Sequence, residues 1–110
     1  MNEQKLTRRI DRIKQELVGL GPLRPGTLYE RHSVCGRPGC RCARKENPQK
    51  HGPYCYLSYT REGKSHTEFV SKRQVAEVKR QVARYGRLQE LVKELVDCNI
   101  ELCRAGKEPR

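Results

Sequence analysis

Apolar residues near the start of the chain recur at spacings of three and four. Leu6, Ile10, Ile13, Leu17 and Leu20 fall along one narrow stripe of a helix. The spacing predicts an amphipathic helix over 3–18, with its stripe carried to residue 20 and its end marked by Gly19, Gly21 and Pro22. Arg8, Arg9, Arg12 and Lys14 lie mostly off the stripe. So narrow a stripe suits a seam against another helix.

The period then changes from that of a helix to that of a strand. After the connector 22–27, residues 27–34 alternate. Leu28, Glu30, His32 and Val34 point one way, and Tyr29, Arg31 and Ser33 the other. A Gly/Pro turn rich in cysteine follows, then a polar loop over 43–50. Residues 53–60 form a second predicted strand, with Cys55, Leu57 and Tyr59 on one face and Tyr54, Tyr56 and Ser58 on the other. Arg61-Glu62-Gly63 reads as a hairpin turn into a third strand over 64–70.

Ser71-Lys72-Arg73-Gln74 has the form of a capping box, with Val70 and Val75 at the staple positions around it. A helix is therefore expected from Ser71. Val75, Val78 and Val82 begin its apolar face, and Leu88, Leu91, Val92, Leu95, Val96, Leu102 and Cys103 continue it. Gly86 stands between these groups, as a kink or as a break between two helices. Gly106 and Pro109 close the chain.

The fold expected is α+β: an N-terminal helix, a small three-stranded antiparallel sheet, then one long or kinked C-terminal helix packed on the first. A single domain over 1–110 is expected, divided into a helix at 3–20, a metal-stapled sheet at 27–70 and a helical part at 71–105.

Composition changes the picture in two ways. The chain is 110 residues long and only 35% hydrophobic, with one Phe and no Trp, so core burial alone is limited. A domain of this kind often needs a staple, and a metal is one. The formal charge of +11 points to a polyanionic partner, nucleic acid ahead of an anionic membrane surface. The opening residues are charged and contain no apolar core of a signal peptide, and no stretch approaches the length of a membrane span. A cytoplasmic protein with reduced thiols is expected, in which the six cysteines are metal ligands or plain thiols rather than disulfides.

Candidate chemistry concentrates at Cys35-Gly-Arg-Pro-Gly-Cys40-Arg-Cys42. Thiolates and imidazole are what a tetrahedral zinc takes, and Pro38 and Gly39 suit the tight turn that would bring Cys35 and Cys40 to one ion. The expected Zn2+ ligands are Cys35, Cys40, Cys42 and His51, with His32 and Cys55 competing for the fourth place. Three thiolates favour a structural ion over a catalytic one. Cys98 and Cys103 read as inert core thiols.

No zinc-hydrolase, phosphate-loop or nucleophile-elbow signature is present, so no enzymatic activity is expected. His66 and Glu68 share a strand face, which reads as solvated surface rather than an acid/base pair.

Arg37, Arg41, Arg44, Lys45 and Lys50 surround the turn, and Tyr29, Tyr54, Tyr56 and Tyr59 stand on strands beside it, Tyr54 and Tyr56 foremost. Lys72, Arg73, Lys79 and Arg80, with Arg84 and Arg87, add basic residues on the following helix. Cations attract phosphates and tyrosine rings stack on bases, so these form the candidate nucleic-acid surface, with DNA ahead of RNA.

Gly26-Thr27-Leu28-Tyr29, the run Cys35 to Cys42, and His51-Gly-Pro-Tyr-Cys-Tyr-Leu57 resemble a small uncharacterised family of bacteria and archaea. The resemblance covers about three quarters of the chain. It implies Cys35, Cys40, Cys42 and His51 as a set, without a matching thiol at Cys55, and supplies no activity. Members often occur near mobile elements. The loop 45–50 departs from a shorter form with Gly. In layout the sheet followed by a helix is similar to the arm-type DNA-binding domains of tyrosine integrases, which lack the cysteines. Two functions follow as expectations. One is a zinc-stabilised nucleic-acid-binding protein, accessory to a mobile element. The other is a protein-interaction adaptor, or a homodimer, working through the terminal helices.

Overall fold

The computed structural model describes residues 2–33, 39–41 and 51–107. They form an N-terminal helix, a three-stranded antiparallel sheet and a long C-terminal helix, an α+β fold.

Helix α1 (Glu3–Val18) starts where Asn2, in an extended conformation, accepts the Lys5 N–H through its side chain at 2.8 Å. It ends at Gly19, whose N–H reaches back to the Gln15 and Glu16 carbonyls. The predicted stripe is the buried one: Leu6, Ile10 and Ile13 are buried, and Leu17 and Leu20 are half-buried against them.

Helix α2 (Val75–Arg104) runs unbroken through Gly86. Its predicted start at Ser71 moves to Val75. The Ser71 hydroxyl meets the Gln74 side chain at 3.2 Å instead of a backbone N–H, while the Gln74 and Val75 N–H groups bond the Ser71 carbonyl. The two side chains thus meet each other rather than the backbone N–H groups of the expected capping box, and residues 72–74 form a turn rather than helix.

The chain divides into two compact units. The first, Met1–Arg24 with Gln81–Arg110, is the helix pair. Leu6, Ile10 and Ile13 of α1 pack with Leu91, Cys98 and Leu102 of α2, with Leu95 at the margin. Burial of each large side chain stabilises by roughly 1.5–3 kcal/mol. The rim carries ions. Arg87 donates from Nε and Nη2 to both Glu16 oxygens, at 2.5 and 2.9 Å, and from Nη1 to Glu90 at 3.0 Å. Those bonds hold the Glu16 carboxyl below its ordinary range. Arg84 donates to the Pro22 carbonyl at 2.9 Å, and the Arg24 N–H to the Gln81 carbonyl at 3.2 Å.

The second unit, Pro25–Arg80, is the sheet with the first turns of α2. Its strands β1 (Thr27–Ser33), β2 (His51–Arg61) and β3 (Lys64–Val70) lie in the order β1-β2-β3. The second strand begins earlier than the sequence pattern suggests, at His51 rather than 53, because it pairs with β1 as far as Ser33. Val34, expected in the first strand, lies outside the described residues. Glu62 and Gly63 both take positive φ, 52° and 77°, the two-residue turn whose twist suits a hairpin.

Register sorts the side chains onto two faces. Leu28 is opposite Leu57, which is opposite Glu68; Glu30 is opposite Cys55, which is opposite Val70. Leu57 and Val70 are the buried side chains of this face among the described residues. Gly26 approaches Leu57 so closely that a Cβ there would lie 2.6 Å from Leu57 Cδ1, so only glycine lets the strand begin at that point.

Candidate nucleic-acid interface and metal turn

The cysteine segment leaves and re-enters the sheet at one rung. Ser33 pairs with His51, and the ladder is irregular between Arg31 and Ser33. Adjacent strands lie about 5 Å apart, so Ser33 and His51 stand side by side at the end of the β-ladder. The return is built by His51-Gly52-Pro53-Tyr54. Gly52 has φ 117°, and a Cβ there would lie 2.8 Å from the Arg31 carbonyl oxygen and 3.0 Å from the Tyr54 nitrogen. The Gly52–Pro53 peptide is cis. Crowding of β1 against β2 therefore explains the glycine of the sequence motif.

Of the predicted metal ligands, Cys35 and Cys42 lie outside the described residues, as does the side chain of His51, whose backbone opens β2. Cys40 follows Gly39, which has φ 78°, and is half-buried. The competing ligand Cys55 is half-buried on the Leu57 face, between Glu30 and Val70; His32 is exposed on β1. Among the described residues no three His, Cys, Asp or Glu side chains converge.

Of the predicted phosphate contacts, Arg37, Arg44, Lys45 and Lys50 also lie outside the described residues, and Arg41 is exposed beside Cys40. Lys72 and Arg73, in the turn before α2, and Lys79 and Arg80, in its first turns, are exposed. Arg80 pairs loosely with Glu77 at 3.7 Å. Lys72 and Lys79 line a cavity of about 660 Å³ together with Tyr29, Tyr54, Phe69 and the carboxylate-bearing Glu30. Arg84 and Arg87 do not join this surface: their bonds to Pro22, Glu16 and Glu90 tie the helix pair together.

The tyrosines are not core residues. Tyr29 is stacked on Tyr56 with ring centroids 5.8 Å apart, and Phe69 meets Tyr54 and Tyr56 edge-on at 6.3 and 5.9 Å. Tyr29 and Phe69 are exposed and Tyr54 and Tyr56 half-buried. Sequence pattern pointed to Tyr29, Tyr54, Tyr56 and Tyr59 but passed over Phe69, which completes the cluster, while Tyr59 stands on the other face; the position of Phe69 opposite Tyr56 in β3 was the available signal. On the other face the Tyr59 hydroxyl donates to Glu68 at 2.5 Å and the Tyr59 ring stacks on His66 at 5.0 Å. His66 and Glu68 therefore frame a tyrosine on an exposed sheet face.

Comparison with known proteins adds a family. Residues 3–80 match the Domain of unknown function (DUF6788). The chain belongs to this family. The DUF6788 region takes in α1, the whole sheet and the start of α2, so the cysteine segment and the aromatic cluster fall inside it. No curated protein and no solved structure matches the chain. No helix among the described residues is long and apolar enough to cross a membrane.

Proposed function

We propose that this DUF6788 protein is a non-enzymatic nucleic-acid-binding protein whose sheet is stapled by zinc. The observation that carries the reading is the run of exposed cations Lys72, Arg73, Lys79 and Arg80, of which Lys72 and Lys79 share a cavity with Tyr29, Tyr54 and Phe69, in a chain of net charge +11. Phosphate neutralisation by such side chains supplies affinity without sequence preference. DNA is the first partner to test, RNA the second, and an accessory role to a mobile element is the setting the sequence suggests.

The staple is proposed at Cys35, Cys40, Cys42 and His51. Supporting it is the Ser33–His51 rung, from which the loop carrying the thiols springs and to which it returns. The donor set suits zinc, which would supply structural stability and no chemistry.

The test is binding of labelled duplex and single-stranded DNA, and of RNA, at several salt concentrations, with metal content measured on the same preparation. About one zinc ion per chain is expected. Replacing Lys72, Arg73, Lys79 and Arg80 with Gln should flatten the log–log salt slope on duplex by roughly 0.9 per lost phosphate contact. A wild-type slope near zero would remove the reading.

A second reading, an adaptor or homodimer working through α2, is favoured by one observation. Val92, Val96 and Ile100 are exposed at four-residue intervals, on a different side from the buried Leu91, Cys98 and Leu102. Their replacement by Lys should leave nucleic-acid binding intact and abolish self-association in sedimentation runs if that surface is an interface.

A further inference from the structure

The open face of the sheet carries a cluster of rings. Tyr29, Tyr54, Tyr56 and Phe69 share it, in touching pairs. Phe69 is 60% exposed and Tyr29 37%. Register places Arg31, opposite Tyr54, on the same face, and the rest of the face toward the hairpin is hydroxyl-bearing, with Ser58 opposite Thr67. Both carboxylates of the three strands, Glu30 and Glu68, lie on the opposite face, with Cys55 and Leu57. An exposed aromatic surface free of strand carboxylates, on a strongly cationic chain, is complementary to a polyanion that also presents flat apolar rings.

We infer that this face is a stacking platform for unpaired bases, so that the protein prefers single-stranded nucleic acid to duplex. This rests on the nucleic-acid reading above and narrows it. Paired bases in a duplex hide their π-faces, and a sheet that reads a groove needs long polar side chains to reach base edges. Here Arg31 is the one such side chain on the face among the described strand residues. Unpaired bases offer their π-faces and stack on aromatic rings irrespective of sequence. The cations Lys72 and Lys79 line a cavity at the sheet edge that Tyr29, Tyr54 and Phe69 border from one face and Glu30, Cys55 and Val70 from the other, so two cations and one carboxylate stand where a strand leaving the rings would pass.

The experiment is fluorescence anisotropy of the full chain with a labelled mixed-sequence DNA strand, the same sequence as a duplex, and an RNA strand. The single strands should bind more tightly than the duplex. Phe69→Ala, Tyr29→Ala and Tyr56→Ala should each weaken single-strand binding by about five- to a hundredfold and duplex binding by much less. Tyr56→Phe should retain wild-type affinity and Phe69→Leu should not, because the ring and not apolar bulk is what a base stacks on. Because the chain has no Trp, Phe69→Trp gives a reporter whose emission a stacked base should quench on titration with the single strand. Equal or tighter duplex binding, or ring variants at wild-type affinity for the single strand, would overturn the platform while leaving the nucleic-acid reading standing. No binding to any of the three probes would overturn both. A dimer that Phe69→Ala dissociates and that the single strand does not displace would assign the face to a second copy and overturn the inference.

Discussion

Gly52 shows how much one residue decides. Its φ of 117° and its approach to the Arg31 carbonyl leave no room for a side chain. Gly52→Ala is expected to cost roughly 1–3 kcal/mol, read as a lowered denaturation midpoint with unchanged slope, because the left-handed strain adds to a backbone clash. The glycine was visible in the sequence, but its reason was not: the clash is with β1, some twenty residues earlier in the chain. The cysteines of α2 make the complementary point. Both were expected in the core; Cys98 is buried and Cys103 is exposed. At about 100° per residue, five positions carry a side chain well away from its starting azimuth, so a broad apolar face cannot hold both. Burial pushes the Cys98 thiol up from its ordinary range, which disfavours the reactive thiolate. Iodoacetamide should therefore label Cys103 in the native protein and Cys98 only on unfolding, as peptide mapping over a time course would show. Equal labelling rates would place Cys98 outside the core.

Elements with one strong period were the legible ones. The stripe Leu6, Ile10, Ile13 gave α1 its face, and strict alternation through Tyr54 to Tyr59 gave β2 its two sides. What the pattern left undecided was a matter of competition between neighbours. Gly86 weakens a helix locally, yet α2 continues through it, with Leu91, Cys98 and Leu102 beyond it packed in the helix-pair core. A Cβ at Gly86 meets nothing within 4 Å outside the helix's own backbone, and its φ is not in the left-handed region. Gly86→Ala is therefore expected to raise stability by about 0.5–1 kcal/mol, through the lower conformational entropy of the unfolded chain. A fall in thermal midpoint would mean that this position needs glycine for contact with a partner. The division of the apolar face of α2 into a buried row and the exposed row Val92, Val96, Ile100 was beyond sequence, since α1 is too narrow to cover both and nothing local says which row it takes.

At the scale of the whole molecule the two units differ in what holds them. The helix pair has a core of its own in Leu6, Ile10, Ile13, Leu91, Cys98 and Leu102. In Pro25–Arg80 the buried side chains among the described residues are Leu57 and Val70. Two such side chains contribute roughly 1.5–3 kcal/mol each, whereas every strand residue costs about 1–2 kcal/mol of backbone entropy to order. The ladder's hydrogen bonds add roughly 1 kcal/mol apiece at best. The zinc proposed above would add to these contributions, since structural zinc contributes on the order of 10–16 kcal/mol of apparent binding energy in small domains. The proposed thiolate set springs from the Ser33–His51 rung, at the same end of the sheet as Gly52. Removal of metal by a strong chelator should therefore act unevenly. Amide protection along β2 and β3 should collapse, while protection in α1 and the C-terminal part of α2 persists, as hydrogen exchange resolved by residue would show. Nucleic-acid affinity should fall with the sheet signals, not with the helix signals, and return on adding zinc. Uniform protection before and after chelation would mean that the sheet stands without an ion, and the proposed role of Cys35, Cys40, Cys42 and His51 would fall with it.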